Sequence, residues 1–289
     1  MKVIWVLENI KRNFNTKDFY INSKLNIMLL LCSVNLWRKF HPEDTCVLYA
    51  DDMTINLFDR LKVLDLWHNV YPIPQIGKVD KNVFWAANKV QVLSQQVEPV
   101  IIMDNDTHVY KRIKDYLDLN KVYVSNLENG KGYYPTSIDP YIQKLSYKTR
   151  WTTQAVNVSF LNLPDPLFTR EYAELSLQCM EELTALKAPN PQYLIFSEQL
   201  VLKHMLEKNK VSYSSILATT WDCKKNDWGE DNNEGIWPIG KSEMYFKHYG
   251  PLKGHIKNNT NNQNYEREMK HLSNCLNFLN LDLSKIPNL

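Results

Sequence analysis

Two acids and one amide end the apolar run Val100-Ile101-Ile102-Met103, giving Asp104-Asn105-Asp106. In extended backbone, residues i and i+2 point to the same side, so the Asp104 and Asp106 carboxylates can converge on one cation. Ligands of open α/β sheets gather beyond the carboxyl ends of the strands, which is where a strand finishing in D-x-D delivers its acids. The same triplet also suits a plain strand-to-loop turn, because Asp and Asn hydrogen-bond the backbone locally. A second group follows far down the chain in Phe246-Lys247-His248-Tyr249-Gly250-Pro251-Leu252-Lys253. Histidine, here His248, can ligate a metal through a neutral ring nitrogen, and lysine, here Lys253, is a point charge suited to phosphate. Gly250-Pro251 would set a turn between them. Taken alone, this stretch is a surface turn with a satisfied histidine; taken with the two acids, it suggests a cation and an anionic ligand in one site.

Elements that could position these groups alternate along the chain. Strand-length apolar runs cover Val3–Leu7, Cys46–Ala50, Val100–Met103, Val122–Ser125 and Val156–Leu161, several of them apolar on both faces, as strands between helices are. Helical spacing is expected over Thr16–Arg38, and over Asn82–Gln96, where Val83, Ala87, Val90 and Leu93 fall on one face. Further helices are expected at Thr169–Leu186, Phe196–Asn209 and Tyr265–Leu279. The polar stretches Asp222–Gly240 and Asn258–Asn264 read as loops. This alternation predicts an α/β fold with a mainly parallel central sheet flanked by helices.

Composition narrows the chemistry. Basic side chains number 34 against 32 acidic, a net +2, too even to hold a nucleic-acid backbone without a structured groove, so no nucleic-acid partner is expected. Glycine is scarce, 8 of 289 residues, about 3% where roughly 7% is usual. Walker A is absent, and the one G-x-G, Gly130-Lys131-Gly132, runs into Tyr133-Tyr134-Pro135 instead of opening a helix. The five cysteines include no C-x-x-C, which suits a reduced, cytoplasmic compartment. The longest apolar run, Ile27–Val34, falls well short of the roughly 20 residues that span a bilayer. No transmembrane span or signal peptide is expected, although basic runs near Lys203–Lys210 and Lys247–Lys257 could dock on an anionic inner leaflet as a peripheral contact.

The chain resembles glycosyltransferases of the GT-A fold, in particular the glycogenin-like and lipopolysaccharide galactosyltransferase-like family 8. Its motifs appear in order. Phe84-Trp85-Ala86-Ala87-Asn88-Lys89 places a lysine fifteen residues before Asp104, as the family's helix does. Ala155-Val156-Asn157-Val158-Ser159 matches the family strand that carries an Asn and a small residue. Glu198-Gln199-Leu200 echoes D-Q-D, with Leu200 in place of the second acid. His248, Gly250, Pro251 and Lys253 keep most of H-x-x-G-P-x-K-P-W, with one residue fewer between His and Gly and with Gly254-His255 replacing Pro-Trp.

The resemblance implies one GT-A domain over residues 1–289, with a nucleotide-binding half at 1–110 and an acceptor half at 111–289. It implies a nucleotide-sugar donor, expected to be UDP-linked, and a glycan or lipid-linked acceptor. Asp104, Asp106 and His248 would hold the metal. Mixed carboxylate and imidazole ligation favours Mn²⁺ over Mg²⁺. Lys253 would add a second positive contact for the diphosphate, Val6 and Asp51 would lie near the base and ribose, and Lys89, Asn157 and Gln199 would surround the donor sugar. Asn105 and Gly250 are further donor-binding candidates, and Gln199, Glu198 and Asn157 the catalytic ones. Family 8 membership would mean retention of anomeric configuration. Inversion would need a carboxylate base within reach of the acceptor hydroxyl, for which Glu198, Asp222, Asp227 and Glu230 are all available. Trp221, Trp228 and Trp237 are candidate acceptor walls, since aromatic faces pack on sugar rings, although aromatics are more often core. Two other classes stay open. One is a GT-A-shaped subunit that binds without catalysis. The other is a D-x-D phosphatase, against which His108 stands where that family has Thr or Val.

Overall fold

Val3, Ile4 and Trp5 are fully buried in succession, so the first strand, β1 (Lys2–Leu7), needs cover on both faces. The computed structural model describes residues 1–8, 11–12, 19–20, 24–151, 154–188, 192–225, 227–231, 235–237, 245–248 and 270–274. These belong to two compact units interleaved along the chain. Met1–Pro72, Met103–Ile113 and Glu243–Leu289 make the first, and Ile73–Ile102 with Lys114–Ser242 make the second.

In the first unit, β1 is followed by the two-residue antiparallel pair β2 (Lys11–Arg12) and β3 (Phe19–Tyr20) and by helix α1 (Lys24–Phe40). Every residue of α1 from Leu25 to Leu36 is buried, as expected of a helix that is apolar nearly all round. β4 (Thr45–Ala50) pairs in parallel with β1, Val3 opposite Cys46 and Leu7 opposite Ala50. Asp51 then caps helix α2 (Asp52–Leu61), its carboxylate accepting from the Thr54 N–H at 2.9 Å. β5 (Asn69–Pro72) pairs in parallel with β4.

Strand β6 (Val100–Met103), buried at each residue, carries the chain from the second unit into the first. There the short strand β7 (Thr107–Val109) pairs antiparallel with the distant β14 (Phe246–His248).

The second unit contains helix α3 (Ala87–Ser94), strands β8 (Val122–Asn129) and β9 (Gln154–Leu163), and helices α4 (Pro166–Ala185), α5 (Gln192–Ile195) and α6 (Val201–Lys208). Strands β10 (Tyr213–Leu217), β11 (Thr219–Asp222), β12 (Asp227–Asp231) and β13 (Gly235–Trp237) complete it. β10 and β11 both run parallel to β8, and β13 runs parallel to β10, while β9 and β12 are antiparallel to β8 and β11. The architecture is the expected one, mixed α/β with a mainly parallel sheet and flanking helices. Among the described residues no helix is long and apolar enough to cross a membrane.

Several local expectations change. The helix expected over Asn82–Gln96 is shortened to Ala87–Ser94. The helix expected from Thr16 starts at Lys24, and Phe19–Tyr20 is extended and paired with Lys11–Arg12. The stretch Asp222–Gly240, expected as loop, contains β12 and β13, whose ladder bonds are supplied by β11 and β10. Only Lys270–Asn274 of the expected final helix is described, and it is helical; Asn258–Asn264 lies outside the described residues.

Gly235 shows why β13 tolerates no side chain at its start. A Cβ there would sit 2.2 Å from Ala218 Cα and 2.3 Å from Ala218 N, both backbone atoms. Gly235→Ala is therefore expected to cost about 1–3 kcal/mol by overpacking, read as a lower urea midpoint; an unchanged midpoint would contradict this close approach.

Candidate functional site

The D-x-D carboxylates owe their placement to the strands on either side of them. β6 ends at Met103, the chain turns with the Thr107 N–H donating to the Asp104 carbonyl at 3.1 Å, and β7 resumes at Thr107. Antiparallel pairing then sets His248 opposite Thr107, Lys247 opposite His108 and Phe246 opposite Val109. This brings His248 Nε2 to 3.8 Å from Asp106 Oδ1, with Asp106 buried and His248 half-buried. One ligand atom each from Asp104, Asp106 and His248 lies within 4.8 Å of the others. Donors about 2 Å from a common ion are at most about 4 Å apart, so small inward turns of these side chains would close on one cation. The donor set of two carboxylates and an imidazole fits a divalent metal.

β7 is anchored from behind. The Trp5 indole N–H donates to Ser33 Oγ at 2.9 Å, and the Ser33 hydroxyl donates to the Thr107 carbonyl at 2.6 Å. His108, fully buried, bonds the Leu29 carbonyl through Nε2 at 3.0 Å. Burial pushes its pKa down to about 3, against the Leu29 hydrogen bond and the Asp106 charge, which act to raise it. It is a neutral imidazole. Beside the acids, Asn105 Nδ2 donates to the Val6 carbonyl at the end of β1 over 3.4 Å, so these two expected contacts are neighbours. Asp51 serves as the α2 cap described above. Gly250 and Lys253 lie outside the described residues.

The second unit gathers the remaining expected residues. Lys89 on α3 donates to the Val158 carbonyl at 2.8 Å and pairs with Glu198 Oε1 at 3.2 Å, both side chains nearly buried. That carbonyl is available because β9 bulges. Val124 faces Leu161 but Asn126 faces Asn157, so β9 carries two extra residues across this span. Asn157 closes the bulge, its Oδ1 accepting from the Ser159 N–H at 3.0 Å and its Nδ2 donating to Glu128 Oε1 at 2.7 Å.

Glu198 and Gln199 sit in a π-helical turn, Phe196–Leu200, where a regular α-helix was expected. Two hydroxyls from α4 account for the widening. Ser176 donates to the Ser197 carbonyl, and Tyr172 donates to the Glu198 carbonyl at 3.1 Å, beside the Val201 N–H, which donates to both the Glu198 and Phe196 carbonyls. Gln199 Oε1 is buried with no hydrogen-bond partner among the described residues.

Glu128 is the residue that sequence reasoning missed. It is buried near the end of β8, accepting from the Tyr134 hydroxyl and from Asn157, with Cys223 Sγ 3.9 Å away. Burial and the nearby carboxylate push the Cys223 thiol up to about 12 and raise Tyr134 as well, so both stay protonated. The available signal was a carboxylate closing an apolar strand, hidden because the strand was expected to stop at Ser125. Of the three loop tryptophans, Trp221 and Trp228 are half-exposed and meet edge to face at 5.1 Å, whereas Trp237 is buried against Tyr116.

The chain belongs to the family of unknown function DUF6734, whose model matches residues 1–233. No curated protein matches it. Among solved structures, it is similar to the galactosyltransferase LgtC in complex with donor and acceptor sugar analogues, at 10% identity over 86% of this chain and 87% of that one, with a TM-score of 0.44. It is also similar to the PaToxG glycosyltransferase, at 10% identity over 72% of this chain and 69% of that one, TM-score 0.40. A third likeness is to the glycosyltransferase GlyE of Streptococcus pneumoniae TIGR4, at 11% identity over 74% of this chain and 44% of that one, TM-score 0.37.

The Lys89–Glu198 pair is open to a direct test. Removing one partner of a buried ion pair strands the other charge and costs about 3–5 kcal/mol, whereas replacing both with apolar groups is far milder. Lys89→Met is expected to destabilise the protein by that amount in urea titration. Lys89→Met combined with Glu198→Leu should recover most of the loss, and a double variant as unstable as the single would contradict the pairing.

Proposed function

We propose that the protein is a metal-dependent GT-A glycosyltransferase that moves a sugar from a nucleoside diphosphate donor, UDP-linked, to a glycan or lipid-linked acceptor. The observation that carries this is the approach of Asp104, Asp106 and His248, two acids and an imidazole from strands far apart in sequence, within 4.8 Å of one another. That donor set suits Mn²⁺, with Mg²⁺ as the alternative ion. When bound, a divalent cation supplies positive charge that offsets the charge building on the departing diphosphate. Asp104 and Asp106 would offer carboxylate oxygens, and His248 its Nε2. Lys253 would add a cation for the diphosphate and Gly250 a close backbone approach. Val6, Asn105 and Asp51 would meet the base and ribose.

In the second unit, Lys89, Glu198, Asn157 and Gln199 are assigned to the donor sugar. Gln199 Oε1, buried and lacking a hydrogen-bond partner among the described residues, is an acceptor suited to a sugar hydroxyl. No strong base is required of these residues if configuration is retained. Trp221 and Trp228, half-exposed as an edge-to-face pair, support an acceptor with sugar rings that can lie on an aromatic face. The four cysteines described are all free thiols, which supports a reduced, cytoplasmic setting, with lipid-linked acceptors met at the inner membrane face.

Calorimetric titration of UDP with and without Mn²⁺, followed by transfer and hydrolysis assays across a panel of nucleotide sugars, tests this function. Asp104→Ala or Asp106→Ala should abolish turnover while leaving the fold intact, and His248→Ala should weaken Mn²⁺ binding. Full activity in either aspartate variant, or in excess chelator, would sink the proposal.

A further inference from the structure

β7 is three residues long and pairs with a three-residue partner, and an isolated two-stranded ladder of that length is marginal in water. Something beyond its own backbone bonds must hold the register that sets His248 beside Asp106. The helical turn Lys270–Asn274 supplies the missing contacts. Leu272 in that turn is completely buried, and its carbonyl accepts from the Cys32 thiol of α1 at 3.5 Å. His271, its neighbour, reaches Tyr110 Oη through Nε2 at 3.2 Å, and Tyr110 Oη lies 3.3 Å from His108 Nδ1.

The direction of these bonds follows from one fixed point. The Leu29 carbonyl can only accept, so His108 Nε2 carries the proton and donates to it. His108 Nδ1 is then the acceptor, the Tyr110 hydroxyl donates to it, and the Tyr110 oxygen accepts from His271 Nε2–H. The relay runs from the C-terminal turn through β7 to α1. Strand alternation puts His108 and Tyr110 on one face of β7, the face opposite Thr107, whose antiparallel partner is His248. Tyr110 also extends the ladder, its N–H donating to the Tyr245 carbonyl at 2.8 Å, one step beyond the pairing of Val109 with Phe246. It is the corner at which the relay meets the strand pair.

We propose that Tyr110 and His271 are positioning residues for the cation site, through which the turn Lys270–Asn274 holds the Asp106 strand in register with the His248 strand. This inference rests on the cation site of the proposed function and adds to it a control lying outside the ligands. Groups that orient metal ligands from behind typically change metal affinity by about 10–100-fold when removed.

The test is a Mn²⁺ titration followed by paramagnetic resonance of the free ion, on the full chain and its Asp104→Ala, Tyr110→Phe, His271→Ala and His271→Gln variants. Amide hydrogen exchange at Thr107–Val109 is measured in parallel. Tyr110→Phe keeps the ring and its packing, so it separates the relay from a general loss of fold. Tyr110→Phe and His271→Ala should each weaken Mn²⁺ binding on the order of tenfold and speed exchange at β7. His271→Gln, which restores an N–H donor, should recover most of the affinity. Affinity equal to that of the unaltered chain in both Tyr110→Phe and His271→Ala overturns the proposal. If Asp104→Ala binds Mn²⁺ as the unaltered chain does, it is the cation site itself that has failed. Exchange at β7 then decides whether the turn sets the strand register: faster exchange in the two variants supports it, and unchanged exchange refutes it.

Discussion

Two carboxylates drawn together inside a protein repel each other and lose hydration, so their proximity has to be enforced by something stiffer than the side chains. Here the constraint is the antiparallel pairing of Thr107–Val109 with Phe246–His248. It fixes where the D-x-D turn ends, and it brings in an imidazole from a stretch of chain that no local interaction connects to the acids. A slip of one residue would turn His248 to the opposite face of its strand, leaving two acids without their third donor. Much of the first unit therefore serves to hold β7. The Trp5 indole and Ser33 hydroxyl reach the Thr107 carbonyl, Leu29 fixes His108, and Tyr110 continues the ladder to Tyr245.

The second unit solves a related problem with different parts. Lys89 is almost fully buried and is satisfied by a carbonyl released at the β9 bulge and by the Glu198 carboxylate. Asn157 is held by its own bulge and by Glu128, and the turn bearing Glu198 and Gln199 is widened by two hydroxyls from α4. Bulges and π turns are costly irregularities, tolerated where a particular side chain must be aimed. Their coincidence around Lys89, Asn157, Glu198 and Gln199 gives these residues a fixed geometry that regular elements would not.

How much of this was legible beforehand depended on whether the cause was local. The run Val100–Met103 reads as a strand and is one with the same bounds, because four apolar residues before an acidic turn have few alternatives. β8 was expected to end at Ser125 and continues to Asn129, since Asn126 and Glu128 are polar yet buried, each satisfied by partners that hydropathy does not reveal. The polar stretch after Asp222 hides two short strands for the same reason: their stability comes from neighbouring strands more than from their own residue types. The α-helix expected over Phe196–Leu200 is a π turn because Tyr172 and Ser176, distant in sequence, pull on its carbonyls. The identities of Asp104, Asp106 and His248 could be read from spacing and resemblance; their meeting depended on a strand pair formed over more than a hundred residues, which only the structure reveals.

Anomalous diffraction from crystals soaked with Mn²⁺ and UDP would test the central claim most directly. The account predicts a single strong manganese peak within coordination distance of oxygens of Asp104 and Asp106 and of His248 Nε2, with diphosphate density against it. A peak bound elsewhere, or diphosphate density with no metal between these three side chains, would contradict it.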